Sequence, residues 1–215
     1  MKRKIVVSVV LLSLAAAVAG AEPLSRAQAL VALQDRADVA ARRQGAAWLG
    51  DTGLMPDVPL LVEALRDPDE LVRALAEHSL WQVWGRSGHP EADRQFQIGV
   101  EQMNQGDLGA AIETFGRIIQ GNPDFAEAWN KRATAYYLLG EFGKSLADCE
   151  EVLRRNPVHF GALSGFGLIY LQLREPERAI HYFRRALAVN PNLAQIKTAV
   201  EELERLLRER SQESI

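Results

Sequence analysis

Three Asn-Pro dipeptides recur at a fixed interval and strongly limit the folds open to this chain. They are Asn122-Pro123, Asn156-Pro157 and Asn190-Pro191, and each follows the previous one by 34 residues. A period of this length is typical of a repeat array, in which one supersecondary unit stacks on its neighbours. Proline ends a helix, because it lacks an N–H and restricts the residue before it. The spacing therefore predicts stacked helical repeats with an extended concave face.

Each unit also repeats a pattern of side-chain size. When the unit is numbered so that its proline stands at position 32, positions 8 and 20 carry small residues, which let two helices approach, and position 24 carries a larger one, which fills the gap at their crossing. In chain order these residues are Gly99, Ala133 and Gly167 at position 8, Ala111, Ser145 and Ala179 at position 20, and Phe115, Cys149 and Phe183 at position 24. We predict first helices near 92–104, 126–139 and 160–173, and second helices near 108–120, 142–155 and 176–189.

These positions resemble the tetratricopeptide repeat, a helix–turn–helix unit of 34 residues. The resemblance covers about residues 90–208 and implies an all-α fold, an α-solenoid of three units followed by a capping helix. Two departures are local. Arg132 stands at position 7, which is usually apolar, and Cys149 stands where an aromatic residue is usual. Gly106 and Gly140 mark two turns between paired helices, where glycine readily adopts a positive φ.

The N-terminus has the pattern of a secretory signal peptide. The basic stretch Lys2-Arg3-Lys4 precedes an apolar run from Ile5 to Val18, and Ala19-Gly20-Ala21 supplies an A-x-A cleavage site. We predict that residues 1–21 are removed and that the mature chain is periplasmic or secreted. The alternative is a retained membrane anchor, for which the run is short. We expect no membrane span after cleavage.

Charge and cysteine content narrow the functional classes. The signal segment holds three basic residues and no acidic ones, so the remaining chain has 22 basic and 28 acidic residues, a net charge of −6. A mildly acidic protein lacks the electrostatic footprint of a nucleic-acid or anionic-lipid binder. The single cysteine, Cys149, excludes an internal disulfide, and its register predicts a buried small hydrophobe, with an intermolecular disulfide as the alternative.

A different helical pattern lies between the signal segment and the repeats. The stretch from Arg42 to Gly50 is echoed 31 residues later by the stretch from Arg73 to Trp81, with an Asp-Pro-Asp turn at 67–69 between them. This pattern resembles the short HEAT-type repeat of the phycobilisome-lyase family. We therefore predict a HEAT-like domain at 22–88 and a tetratricopeptide-repeat domain at 89–215, with Ser25 capping the first helix. The indoles of Trp48, Trp81 and Trp84 belong either to the core or to an interface.

The residues that usually carry catalysis are not arranged for it. The four histidines, His78, His89, His159 and His181, have no second ligand at metal-binding spacing. The glycine-rich stretch 161–167 lies within a predicted first helix, so it is expected to be structural rather than phosphate-binding. Lyase activity would rest on fold analogy alone. We expect no metal, no cofactor and no enzymatic activity.

The tetratricopeptide resemblance implies a partner-binding groove lined by positions 2, 5, 9 and 12 of the first helices. The candidate residues are Phe96, Val100 and Met103 in the first unit, Asn130, Thr134 and Tyr137 in the second, and Ser164, Leu168 and Leu171 in the third. Some family members hold a peptide carboxylate with lysine, asparagine and a later basic pair. Phe96, Val100, Gly161 and Gly165 stand at those positions here, so this clamp is absent. The groove is predicted to have an apolar floor and an amide or hydroxyl rim.

Such a groove suits an extended segment or a helix with apolar anchors. The sequence thus favours an adaptor that holds a protein or peptide partner. Two alternatives stay open: a structural subunit whose groove is filled within an assembly, or an accessory that positions a catalytic partner. The sequence identifies neither the partner nor the oligomeric state, and it also allows a groove that is covered within the chain itself.

Overall fold

A computed structural model of the chain describes residues 23–213, so the predicted signal peptide lies outside the described residues. Every regular element in this range is helical. The chain divides into two compact units, one ending at Val83 and one beginning at Trp84. The helices are α1 (Arg26–Leu33), α2 (Val39–Thr52), a 3-10 turn (Met55–Asp57), α3 (Val58–Ala64), α4 (Glu70–Trp84), α5 (Pro90–Asn104), α6 (Leu108–Gly121), α7 (Ala126–Leu138), α8 (Phe142–Arg155), α9 (Phe160–Gln172), α10 (Pro176–Val189) and α11 (Ala194–Glu213).

The first unit is held by close backbone approach between its helices. Ser25 caps α1 as predicted, since its hydroxyl accepts from the Gln28 backbone N–H. Gly45 brings α2 against α1, because a Cβ at that position would lie 2.6 Å from the Ala29 carbonyl oxygen. The Ser79 hydroxyl of α4 donates to a carbonyl oxygen of α2 at 2.6 Å. No larger residue than glycine fits at position 45.

Arginine–aspartate ion pairs join the elements of this unit across its surface. They are Arg26–Asp57, Arg42–Asp67 and Arg43–Asp69, with N–O distances of 2.6, 2.8 and 2.6 Å. Arg43 donates two hydrogen bonds to Asp69 and lowers the pKa of that carboxyl to about 2. The Asp-Pro-Asp turn is therefore fixed by partners on α2 as well as by its own backbone.

The second unit contains the predicted array of helix pairs. Its helices α5 to α10 agree with the predicted ranges within two residues, and α11 follows the third Asn-Pro. The size pattern has the predicted physical basis. A Cβ on Gly99 would come within 2.7 Å of the Phe115 ring, and one on Gly167 would overlap the Phe183 ring. Glycine at position 8 thus admits the phenylalanine at position 24.

The turns between paired helices show one difference from expectation. Gly106 and Gly140 have φ of 83° and 75°, as predicted, whereas the third turn places Arg174 at φ 60°. These three residues are 34 positions apart. A side chain in the left-handed region costs about 1–2 kcal/mol, so the third turn keeps the backbone conformation without the residue that best suits it. The repeat register therefore determines this conformation.

Two residues left open by the sequence are placed by the structure. Cys149 is 2 % exposed, as predicted for a small buried residue. Trp84 is 3 % exposed, and its ring stacks on that of His159 with centroids 4.4 Å apart. Trp84 is thus a core residue, whereas Trp48 and Trp81 are half-buried.

Candidate functional site

The predicted groove residues divide into two groups. In the first repeat, Phe96 is 4 % exposed and packs with the rings of Phe115 and Phe125 at centroid distances of 5.7 and 5.1 Å. Val100 and Met103 pack against the same cluster. These three residues consolidate the interior of the first repeat, and Phe96 offers no surface to a partner.

Between the second and third repeats, by contrast, the structure opens a concave pocket of about 140 Å³. Five predicted groove residues come together here, from α7 and α9. The lining consists of Asn130, Ala133, Thr134, Tyr137, Ser145, Cys149, Gly161, Ser164, Gly165, Leu168 and Ile169. Leu168 is 40 % exposed at its edge, whereas Leu171 packs against the core beside it.

The depth of the pocket follows from the Cys149 departure. In the first and third repeats position 24 carries a phenylalanine with no exposed surface, whereas the second repeat has the smaller Cys149 thiol, which forms part of the pocket wall. Gly165 leaves the space above the sulfur open, because it has no side chain. Sequence reasoning assigned Ala133, Ser145 and Cys149 only to helix packing. The missing aromatic residue at position 24 was the signal that a void lay there.

Most polar groups of the pocket present acceptors; the exception is the Tyr137 hydroxyl, which accepts from the Gln172 amide at 3.4 Å and keeps its own hydrogen to donate. Thr134 and Ser164 donate their hydroxyl hydrogens to the carbonyl oxygens one turn earlier, at 2.9 and 2.8 Å. Ser145 donates to the Ala133 carbonyl oxygen at 2.7 Å. Each of these three hydroxyl oxygens keeps lone pairs for a ligand, but its hydrogen is already used. The pocket therefore favours ligands that bring N–H groups.

The pocket is also electrically neutral. None of its lining residues carries a formal charge at pH 7. Burial, together with the nearby carboxylates of Asp148 and Glu150, raises the pKa of the Cys149 thiol to about 12. The thiol thus stays protonated, and its sulfur acts as an apolar surface.

A buried polar network lies beside the pocket, at the start of α7 and α9. His159 is fully buried and caps α9, because its Nδ1 accepts from the Ala162 N–H at 3.1 Å. The ring hydrogen is therefore on Nε2, which donates to Glu127 at 2.8 Å. The same carboxylate accepts from Asn130 and lies 3.3 Å from the Lys131 ammonium.

Burial alone would raise the pKa of Glu127, but the His159 hydrogen bond, the Lys131 charge and the Asn130 amide outweigh it and hold the pKa below its usual value. Glu127 and His159 stand 32 residues apart and connect successive repeats. Asn130 is consequently oriented by a network rather than free to rotate, and its amide hydrogens point to Glu127. Glu127 stands at position 2 of its repeat, one of the positions that the tetratricopeptide resemblance assigns to the groove, whereas it is 2 % exposed.

The unusual Arg132 has a structural explanation. It makes a bidentate contact with Asp148, with N–O distances of 2.7 and 2.8 Å, and joins α7 to α8 within the second repeat. Its guanidinium also lies 5.0 Å from the centre of the Trp129 ring. A charge at an apolar position is thus satisfied by a partner carboxylate and an aromatic face.

The first unit has a wider cleft of about 880 Å³, but its character is different. Arg36, Arg42, Arg66, Glu63 and Asp67 contribute to its wall, and Arg42 is already paired with Asp67. The cleft is open and lined by both basic and acidic side chains, so it does not select one class of ligand. The described residues also contain no group of three or more His, Cys, Asp or Glu placed to hold a metal ion. Within residues 23–213, the helices fall short of the length and apolarity needed to span a bilayer.

Profiles of known protein families match the second unit. Two of them, both described as tetratricopeptide repeat, cover residues 96–160 and 161–193. Residues 96–193 are tetratricopeptide repeats. A "TPR repeat-containing protein" of Rhizobium etli is 32 % identical over 126 residues, a match that takes in 59 % of this chain and 61 % of the relative. Anaphase-promoting complex subunit 3 of Schizosaccharomyces pombe is 29 % identical over 90 residues, or 42 % of this chain and 14 % of that protein. The chain thus spans less than two thirds of the length of either relative.

Solved structures share the tetratricopeptide fold. The first TPR of Spaghetti (RPAP3), bound to the HSP90 peptide SRMEEVD, superposes with a TM-score of 0.52 at 23 % identity and covers 54 % of this chain and 93 % of that one. MamA superposes with a TM-score of 0.53 at 15 % identity and covers 81 % and 87 %. At these identities the likeness establishes the fold, an α-solenoid.

Proposed function

We propose that this protein is a non-enzymatic adaptor that holds a peptide segment or a partner protein in the concave groove of its tetratricopeptide repeats. The observation that carries the proposal is the open pocket between α7 and α9. It combines an apolar floor, hydroxyl and amide acceptors at its rim, and the half-exposed Leu168 at its edge. An apolar surface rimmed by polar groups is typical of a binding site.

The similarity to peptide-binding repeats supports this proposal. The RPAP3 structure contains the HSP90 peptide SRMEEVD. The TPR2B domain of yeast Sti1, which superposes on this chain with a TM-score of 0.51, is in a complex with pHsp70. In this chain the pocket lining is uncharged, so the partner differs in chemistry from a peptide held through a carboxylate. We therefore propose the same groove with a ligand of different chemistry.

Site-specific crosslinking in cells tests the proposal. A photo-activatable residue replaces Tyr137 or Leu168 at the pocket, and Arg205 or Arg208 on α11 as a matched surface control. We expect one discrete crosslinked product from the pocket positions and none of comparable yield from α11. Equal yields from both sets would reject the groove as the binding surface. A product of twice the chain's own mass would instead favour the structural, self-associating subunit.

We also propose that residues 1–21 direct export, that they are cleaved after Ala21, and that the protein acts outside the cytoplasm. A second proposal is that residues 22–88 form a HEAT-like domain. The support is the basic, apolar and A-x-A order of residues 1–21 and the helical echo between the stretches beginning at Arg42 and Arg73. N-terminal sequencing of the protein from its native host tests the first part. We expect the mature chain to begin at Glu22 and to be found in the soluble envelope fraction. A chain that still begins at Met1 and is found in the membrane fraction would show that the segment is a retained anchor.

A further inference from the structure

We infer that the pocket between α7 and α9 takes one branched aliphatic or aromatic side chain from the interior of an extended polypeptide, and that Gly165 keeps the pocket open for it. This inference rests on the proposed function and specifies the ligand. The partner contributes an uncharged segment with N–H donors beside its apolar anchor, and it does not need a free C-terminus.

The volume of the pocket sets the size of the anchor. At about 140 Å³ it is close to the roughly 150 Å³ apolar cavity that holds a benzene ring in other proteins. Ala133, Cys149 and Ile169 form an apolar floor, and each of them is at most 2 % exposed. One leucine or phenylalanine side chain therefore fits, whereas an entire helix face does not.

The rim chemistry decides which backbone accompanies the anchor. The hydroxyl hydrogens of Thr134, Ser145 and Ser164 are donated to carbonyl oxygens of the protein itself. The Asn130 amide group is directed to Glu127. A carboxylate would therefore meet one phenol donor, that of Tyr137, and no cation, so its charge would stay unbalanced. An extended backbone brings N–H groups at regular spacing, which these acceptors match.

Helix packing does not require glycine at position 165, so its presence points to a functional reason for the space inside the pocket. A Cβ at this position would lie 3.5 Å from the Cys149 sulfur, an ordinary van der Waals contact, so the fold accommodates alanine. Alanine is also the better helix former. Glycine at 165 thus weakens α9 without relieving a clash, unlike Gly167, where the Phe183 ring leaves no space. What glycine preserves is the space inside the pocket.

Two alanine variants separate this role from a general effect on stability. Gly165→Ala narrows the pocket, whereas Gly116→Ala changes a glycine within α6, where a Cβ would lie 3.7 Å from the Arg132 guanidinium. Both variants are expected to raise the melting temperature of the full chain. Only Gly165→Ala is expected to weaken anchor binding, by about fourfold, the factor associated with one buried CH₂ group.

The probe is a seven-residue peptide of serine and asparagine with a central leucine, acetylated and amidated. Binding to the ¹⁵N-labelled full chain is measured from the amide shifts of Thr134 and Gly165, or of Thr134 and Ser164 in the Gly165→Ala variant. Replacing the central leucine by alanine should weaken binding by about tenfold or more. Moving the leucine to a free C-terminus should also weaken it.

The proposal is overturned if the free-carboxylate peptide binds more tightly, if Gly165→Ala and Gly116→Ala bind the leucine peptide equally, or if the peptide shifts no pocket resonance. These results leave the adaptor function untouched when crosslinking from Leu168 still captures a partner. If crosslinking fails as well, the groove itself is not the binding surface.

Discussion

Replacing His159 by alanine should destabilise the repeat domain more than any surface substitution. The His159 ring has no exposed surface, and it accepts a hydrogen bond from the Ala162 N–H and donates one to the Glu127 carboxylate. The variant leaves Glu127 buried and ionised, with Asn130 and Lys131 as its remaining partners. The free energy of unfolding should fall because an uncompensated buried charge is costly.

The size of the effect follows from those contacts. The neutral His159 ring donates one hydrogen bond to the Glu127 carboxylate. A hydrogen bond to a charged group is worth about 1.5–3 kcal/mol, and the upper end applies here because the carboxylate is buried. Loss of the helix cap adds about 1 kcal/mol. We expect a total loss of about 4 kcal/mol, a large part of the roughly 5–15 kcal/mol that stabilises an ordinary domain.

A matched double variant isolates the charge. Glu127→Gln keeps a carbonyl oxygen for the His159 N–H, so by itself it should cost only about 1 kcal/mol. When His159→Ala is combined with Glu127→Gln, it leaves a neutral amide rather than a carboxylate without its partner. The cost of His159→Ala should then fall to about 2 kcal/mol, so the two sites should be coupled by about 2 kcal/mol.

The assay is urea unfolding of the full chain, followed by helical circular dichroism, with hydrogen exchange at the Ala162 amide as the local probe. Exchange at Ala162 should accelerate in His159→Ala, since its acceptor is removed. Additive single effects, or a loss below about 1 kcal/mol for His159→Ala, would show that the carboxylate is solvated and that the network contributes little.

Three further outcomes follow from the described geometry. Gly167→Ala should lower the stability by about 1–3 kcal/mol in a thermal melt, because the new methyl overlaps a phenylalanine ring of α10; unchanged stability would mean that the ring moves freely. Arg174→Gly should raise it by about 1 kcal/mol, since glycine tolerates φ of 60°, and a loss would mean that the arginine side chain contributes. The hydrogen bond from its arginine partner lowers the pKa of Asp69 from 3.8 to about 2. The stability that the Arg43–Asp69 pair contributes is therefore complete above about pH 4 and lost as the pH falls towards 2. The free energy of unfolding, measured between pH 2 and 5, should lose this part of its pH dependence in the Arg43→Met variant.

Much of the fold was predictable because the same types of residue recur at the same positions of each repeat. The Asn-Pro dipeptides and the size pattern at positions 8, 20 and 24 predicted helices α5 to α10 within two residues. The burial of Cys149 and the Ser25 cap were confirmed in the same way. Local signals suffice here, because each repeat contacts its neighbours in the same register.

The site was less predictable, since groove positions were inferred from register alone. Thr134, Tyr137 and Leu168 line the pocket, but Phe96 has the same register as Asn130 and is buried among aromatic rings. Register gives the direction of a side chain from its helix. It does not give the packing of the neighbouring side chains, which decides whether that direction leads to solvent or to the core.

By itself the sequence determined an α-solenoid with three repeats, because a 34-residue period is a local property of the chain. Only the tertiary structure decided where that solenoid is open. The void above Cys149, the pairing of Glu127 with His159 and the left-handed turn at Arg174 each depend on atoms from different helices or on the register of the whole stack. Such features follow from how volumes and charges meet in space, which sequence spacing alone does not specify.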